Sequence, residues 1–372
     1  MIIERMDVYV VGVPAIDALK KYYPTNTATH PGCPDAIVRL WTDDGTFGLG
    51  QQEIQGTDTS FLRRQFESIV GRDPLDPKLD PEAFAPALMR ALYDLQGKAL
   101  GWPVYRLLGR KVRDRVPVAY WTASEASPED TASEAVAAVK KGFKTYKWHT
   151  SRRSDTVARV KAIHEAVGDR LELRIDRGAG WSFSETVKIA RKLSDYNIQV
   201  FEDPLEPAYD LYHIIEVGGK RYSVPVGSSA RTRHDPEEYR LLRKKIDIPI
   251  AWHTGSIEEI FLAAKTDAID YLCTGGYPRQ LQAISAITEA AGIPIWLQTI
   301  GVGGGGIGGA FEAHVGAVVK NAILPADNLH FLREDDLVTP HLEPKDGYIE
   351  VPEKPGIGVE LNMEAVRKYQ IA

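Results

Sequence analysis

The chain has 372 residues, 44% of them hydrophobic and 26% charged, a composition that builds a globular core and excludes a disordered or collagen-like chain. Lys+Arg 45 against Asp+Glu 51 leaves a net charge of -6, which excludes the basic footprint of a nucleic-acid or anionic-lipid binder. Two distant cysteines, Cys33 and Cys273, offer neither a disulfide framework nor a cysteine-based metal site. Charge at Glu4 and Arg5 interrupts the start of the chain, and no stretch nears the ~18–20 apolar residues of a membrane span. The expectation is a soluble, cytoplasmic protein with neither nucleic acid nor membrane as partner.

In chain order, residues 36–42 alternate like a strand, and Asp43-Asp44-Gly45-Thr46 supplies a hairpin turn before Phe47-Gly48-Leu49-Gly50. Helical patterns follow, ending with Ala91 to Lys98. Strands followed by helices predict a separate α+β module. From Val116 the rhythm becomes strand, helix, strand. Ser127-Pro128-Glu129-Asp130 predicts a helix start with an N-cap serine, a first-turn proline and acids that suit the dipole. Strands are predicted at 145–149, 171–176, 198–203, 223–227, 248–253, 270–274 and 293–299. Ser182-Phe183-Ser184-Glu185 reads as a capping box, and Asp235-Pro236-Glu237-Glu238 opens a helix by the same rules. So many consecutive units favour a closed parallel barrel over an open sheet. The turn-rich end, from Lys345 onward, is expected to leave the barrel and pack on the first module.

In such a barrel, chemistry gathers at the C-terminal ends of the strands. Lys147 and His149 lie two apart on one strand and share a face. Asp176 ends the next strand, and Glu202 and Asp203 end the one after. An amine, an imidazole and carboxylates from three successive strands therefore converge on one rim. The carboxylates suit a hard cation such as Mg²⁺. A lysine beside that cation would have its ammonium disfavoured, which suits a general base. Taken singly, each residue has a structural role open to it: Lys147 could only pair with Asp176, and a carboxylate after a strand often caps a helix.

Several segments together resemble the enolase superfamily, in its mandelate racemase and muconate lactonizing enzyme branch. They are the run from Ala91 to Pro103, Leu107-Leu108-Gly109, Gly142-Phe143-Lys144-Thr145-Tyr146-Lys147, Phe201-Glu202-Asp203-Pro204, and the tail from Lys345 to Pro352 with Pro355 to Val359. The resemblance implies a (β/α)7β-type modified TIM barrel, an α/β fold, over residues 113–344. An N-terminal α+β capping domain over 1–112 would be completed by 345–372. It further implies a divalent metal, Mg²⁺ or Mn²⁺, abstraction of a proton α to a carboxylate, a small-molecule carboxylate substrate and a homo-oligomer.

By this resemblance Lys147 occupies the first lysine of the family's Lys-x-Lys pair, and His149 stands where the second, usually catalytic, lysine belongs. Asp176 and Glu202 match the first two metal ligands, with Trp181 at its family spacing. Arg177 and Gly178 replace the usual Ala-Asn, and Arg177 is counted among substrate-binding residues. The third ligand is atypical. The fifth strand could be 224–230 or 248–254, something like an inserted βα unit, and neither segment ends in the expected acid. His253 is the best substitute; an imidazole there would soften the site toward a transition metal.

The family's His-Asp base pair should fall at the next two strand ends. Thr274-Gly275-Gly276 and Gln298 occupy those places. Gln298 is grouped with the catalytic residues by position, but an amide cannot take a proton, so two-base racemisation is not expected. The glycine run from Gly301 to Gly309 could bind a substrate carboxylate or phosphate at a helix N-terminus, or serve tight backbone packing. Tyr23 and His30, in the segment matching the family's mobile capping loop, are candidate substrate contacts, with Gln51, Gln52 and Glu53 at a second loop. The expected function is a metal-assisted lyase, a sugar acid dehydratase. An epimerase or isomerase of a hydroxy acid is the alternative, as is a binding protein that has lost part of the metal site.

Overall fold

The structure is a computed structural model and describes residues 1–17, 20–22, 33–54, 56–124, 126–151, 154–206, 212–217, 220–225, 234–298, 306–328 and 332–372, with 212–225 as backbone only. The chain divides into two compact units: Met1–Trp121, Gly275–Gln282 and Leu297–Ala372 form the first, Thr122–Thr274 and Ala283–Trp296 the second.

The first unit opens with three antiparallel strands, β1 (Ile3–Val11), β2 (Asp35–Thr42) and β3 (Phe47–Glu53), in that order. Helices α1 (Ser60–Glu67), α2 (Pro86–Leu100) and α3 (Tyr105–Leu108) follow, then strand β4 (Arg115–Thr122). Helix α2 is buried almost continuously from Ala87 to Leu95, and its Leu88, Ala91, Leu92 and Leu95 share one apolar core with Val38 and Leu40 of β2. It lies directly on β3 because Gly48 and Gly50 carry no side chain. A Cβ on Gly50 would sit 1.7 Å from the Ala87 carbonyl oxygen, a contact that no rearrangement of side chains could relieve.

The second unit alternates helix and strand: α4 (Pro128–Lys140), β5 (Thr145–His149), α5 (Thr156–Val167), β6 (Glu172–Asp176), α6 (Phe183–Leu193) and β7 (Ile198–Glu202). After a hairpin, β8 (Tyr212–Val217) and β9 (Lys220–Pro225), come α7 (Pro236–Arg243), β10 (Ile250–His253), α8 (Ile257–Thr266), β11 (Tyr271–Thr274), α9 (Pro278–Ala291) and β12 (Ile295–Leu297). The strands lie in the order β12-β11-β10-β7-β6-β5. The caps read from sequence are in place. Ser127 accepts from the Asp130 amide, and Ser182 and Glu185 form the reciprocal capping box. Asp235 accepts from the Glu237 and Glu238 amides.

One expectation is corrected here. The segments near 224 and 250 do not form two βα units. Strand β10 pairs in parallel directly with β7, with Ile250 opposite Phe201 and Ala251 opposite Glu202, so nothing separates them in the sheet. Strand β9 pairs antiparallel with β8 in a sheet of its own. The insertion is a β-hairpin. A short β-prone run does not encode which strand it will pair with, which is why the two segments looked equivalent.

The chain returns to the first unit with α10 (Gly306–Val318), β13 (Ala326–Asp327), β14 (Val338–Thr339), β15 (Tyr348–Glu350), β16 (Glu360–Leu361) and α11 (Met363–Tyr369). Strand β13 runs parallel to β4 and β15 antiparallel to it. The tail packs on the opening strands: Ile371 N donates to Val10 O, and Gly12 N donates to Tyr369 O. No helix among the described residues is long and apolar enough to cross a membrane.

Candidate active site

Sheet register assembles the site. In the second unit His149 lies opposite Asp176, Asp176 opposite Glu202, and Glu202 opposite Ala251. Directly opposed residues share a face, and so do residues two apart on one strand. Lys147 therefore joins His149 on that face, His253 joins Ala251, and Cys273 joins as the partner of His253 on β11.

The side chains make contact as the register requires. Lys147 is buried, and its Nζ lies 2.7 Å from Glu202 Oε2 and 3.3 Å from Asp176 Oδ2. His149, half-exposed at the rim, places Nε2 2.7 Å from Asp176 Oδ2. Asp176 Oδ1 accepts from the Gly178 amide at 2.9 Å. Burial pushes the Asp176 carboxyl up, but His149 and then Lys147 pull harder in the opposite direction and hold it well below the usual carboxylate range. His253 Nδ1 stands 3.7 Å from Glu202 Oε1. Glu202 thus turns one oxygen toward Lys147 and the other toward His253.

Asp203, the acid expected at the end of its strand beside Glu202, is joined by His234 and Trp252, which no sequence pattern points to. Asp203, with φ at 43°, accepts from the His253 amide at 2.9 Å, and His234 Nε2 sits 2.9 Å from the same Asp203 oxygen. The His234 ring stacks on Trp252 with centroids 4.3 Å apart. These contacts fix the backbone that carries His253. The only available signal was the acid following Glu202; nothing local ties it to a histidine thirty-one positions on.

The other predicted residues divide. Arg177 is buried and donates Nη2 to Gly180 O at 2.7 Å and Nη1 to Thr150 O at 3.3 Å, so it braces the loop after β6. Gln298 belongs to the first unit, where it forms a parallel bridge with Asp327. Gln52 Oε1 accepts from the Ala87 amide at the start of α2, and Gln51 O accepts from Arg90. Tyr23, His30 and residues 301–305 of the glycine run lie outside the described residues. At the described end of that run, Gly306 N donates to Asp336 O at 2.7 Å, and a Cβ there would lie 2.1 Å from Val338 Cγ2. Gly306 therefore serves close packing.

The donor chemistry can be tested against a divalent cation. Two buried carboxylates and an imidazole on one face fit a divalent transition metal. They are a poorer match for Mg²⁺, which prefers an all-oxygen octahedron.

The sequence matches the Enolase C-terminal domain-like family over residues 130–235 and 229–366. It is 26% identical to a D-xylonate dehydratase of Haloferax volcanii, over 91% of this chain and 86% of that one. It is 24% identical to an N-succinyl-L-Arg/Lys racemase of Bacillus cereus, over 100% of this chain and 98% of that one. The fold superposes on the muconate lactonizing enzyme of Pseudomonas putida with a TM-score of 0.76 at 21% identity, covering 100% of both chains. The architecture is accordingly the modified TIM barrel with an α+β capping domain. With more than half of its length matched to the family, the chain belongs to the enolase superfamily, among the mandelate racemase and muconate lactonizing enzymes.

Proposed function

We propose that this enzyme is a lyase that removes water from a hydroxylated carboxylic acid, an acid sugar. One observation carries the reading: Lys147 and His149, from one strand, engage the carboxylates of the next two strands on a single face. His149, whose Nε2 is held by Asp176 as in a His–carboxylate pair, is the acceptor of the proton α to the substrate carboxylate. The same imidazolium then returns its proton to the departing β-hydroxyl, so water leaves and the base is regenerated. Lys147, seated between Asp176 and Glu202, supplies fixed positive charge where the substrate gains electron density. Asp176, Glu202 and His253 would hold a divalent cation, Mn²⁺ or Mg²⁺, whose charge further favours loss of the α-proton. Tyr23 and His30 are proposed to contact the hydroxylated end of the substrate. The compartment is proposed to be the cytoplasm and the assembly a homo-oligomer, neither partner being nucleic acid or membrane.

The test is a panel of aldonic and aldaric acids with Mn²⁺ or Mg²⁺, read by 2-keto acid formation. A keto acid product that disappears in Lys147→Ala and His149→Ala supports the reading. Solvent deuterium entering the α position without loss of water would replace dehydration by epimerisation or racemisation, the latter being the chemistry named for the Bacillus cereus relative. The absence of both product and exchange with every acid in the panel would overturn the reading.

A further inference from the structure

Among the described residues, one group of three His, Cys, Asp or Glu side chains brings its ligand atoms within 4.8 Å of one another: Glu202, His253 and Cys273. Glu202 and Cys273 are fully buried, and His253 keeps 15% of its side chain exposed. Asp176, the ligand expected from the resemblance, is not in the group. Its Oδ2 faces two nitrogen donors, His149 at 2.7 Å and Lys147 at 3.3 Å, while its Oδ1 accepts from Gly178. Glu202 Oε2 likewise faces Lys147 at 2.7 Å. The lysine ammonium thus stands between the two carboxylates, and Glu202 Oε1 points the other way, toward His253.

We infer that Cys273 is a metal ligand, and that Glu202, His253 and Cys273 form a three-residue site for a thiophilic divalent cation of the Zn²⁺ or Co²⁺ kind. The inference rests on the proposal that Glu202 and His253 hold a cation, and it changes which donors complete the set and which metal they select. The register supports it. His253 and Cys273 are directly opposed on neighbouring parallel strands, and Glu202 is opposed to the residue two before His253, so three consecutive strands deliver three different donors to one face. Atoms bound to one tetrahedral ion sit roughly 3–4 Å apart. The His253–Glu202 separation of 3.7 Å already meets that, and no pair in the group is more than 4.8 Å apart. Thiolate, imidazole and carboxylate together suit a borderline metal and repel Mg²⁺, which dehydrates reluctantly and takes oxygen. Three protein ligands with a position left over is also the arrangement of catalytic rather than structural zinc sites. The partly exposed edge of His253 sets the side from which a substrate oxygen would enter.

The experiment uses the full chain, stripped with a chelator and titrated with Co²⁺. The expected result is a near-ultraviolet thiolate-to-cobalt charge-transfer band in the wild type and in Cys33→Ser, and none in Cys273→Ser. Zn²⁺ affinity, read by competition with a chromophoric chelator, should fall at least about tenfold in Cys273→Ser. The chain has only two cysteines, so the wild type and Cys33→Ser decide the question even if Cys273→Ser fails to fold. Cobalt bound with ligand-field bands but without charge transfer would overturn the thiol's role and leave the cation reading standing. Absence of any Co²⁺ or Zn²⁺ binding by the wild type would overturn both. The charge-transfer band in a protein that dehydrates no acid sugar would support the site and count against the proposed reaction.

Discussion

Asp94 and Asp176 are both buried carboxylates, one in each unit, each with a lysine and a main-chain amide beside it, and they differ in the further donors that hold them. Asp94 sits on α2 and accepts from the main-chain amides of Leu49 and Ile357, at 2.7 and 2.8 Å, and from Lys98 at 2.7 Å. It ties β3, α2 and the C-terminal tail together, and Gly356 is needed beside it, since a Cβ there would lie 2.0 Å from Asp94 Oδ1. Asp176 instead faces the side chains of His149 and Lys147. Burial pushes the Asp94 carboxyl up, against Lys98, whereas His149 and Lys147 outweigh burial at Asp176 and bring its carboxyl down. A carboxylate held by backbone amides serves the fold, because those donors neither move nor give up protons. One held by an imidazole and an amine is arranged to exchange charge with a third party.

The sharpest way to break this contrast is at His149 and Lys147. His149→Ala and Lys147→Ala should each lower the dehydration rate by roughly 10²–10⁴-fold, and at the half-exposed His149 this should come with little change in the unfolding midpoint. Equal losses of stability and activity would make the second cluster structural as well. Asp94→Ala should do the converse: it leaves two buried amides without acceptors and costs about 3 kcal/mol of stability, measured by urea unfolding, while the folded fraction keeps its turnover. A buried pair in the first unit sharpens the comparison by pH. Burial raises the Glu312 carboxyl to about 7, against the pull of Arg90. A raised acid adds stability below its unfolded value of 4.5 and loses it as pH rises through about 7. On the same helix, burial lowers His314 to about 4, which removes stability as pH falls from 6.5 through 4. The two trends oppose each other. Glu312→Gln should therefore expose the His314 trend, with unfolding free energy rising from about pH 4 to pH 6.5 and no decline toward neutrality; an unchanged profile would show that Glu312 titrates alike in the folded and the unfolded chain. The smallest effect is expected from His234→Phe, which keeps a ring on Trp252 but removes the donor to Asp203. Cation affinity should fall about tenfold at nearly unchanged stability, read by chelator competition.

Much of the candidate site was legible because each of its main residues ends a recognisable strand. Lys147 and His149 share a face by simple alternation, and Asp176 and Glu202 follow apolar runs punctuated by helix caps at Ser182 and Asp235. What stayed hidden was relational. In sequence Cys273 is one of two remote thiols with no partner nearby, and the segments at 224–230 and 248–254 are equal alternatives for the fifth barrel strand, whereas the first of them begins in the hairpin strand β9. Arg177 looked like a substrate contact, but in the fold it donates to the loop carbonyls of Thr150 and Gly180.

The sequence by itself determined the elements, their caps and the face on which each polar residue stands, since these depend on dihedral preference and periodicity within a few residues. Only the tertiary structure decided that β10 adjoins β7, that His253 faces Cys273, and that Asp203 and His234 brace the strand between them. Strand pairing is a contact between segments distant in the chain. It is selected by packing and hydrogen bonding across the whole sheet, and no local pattern of residues records it.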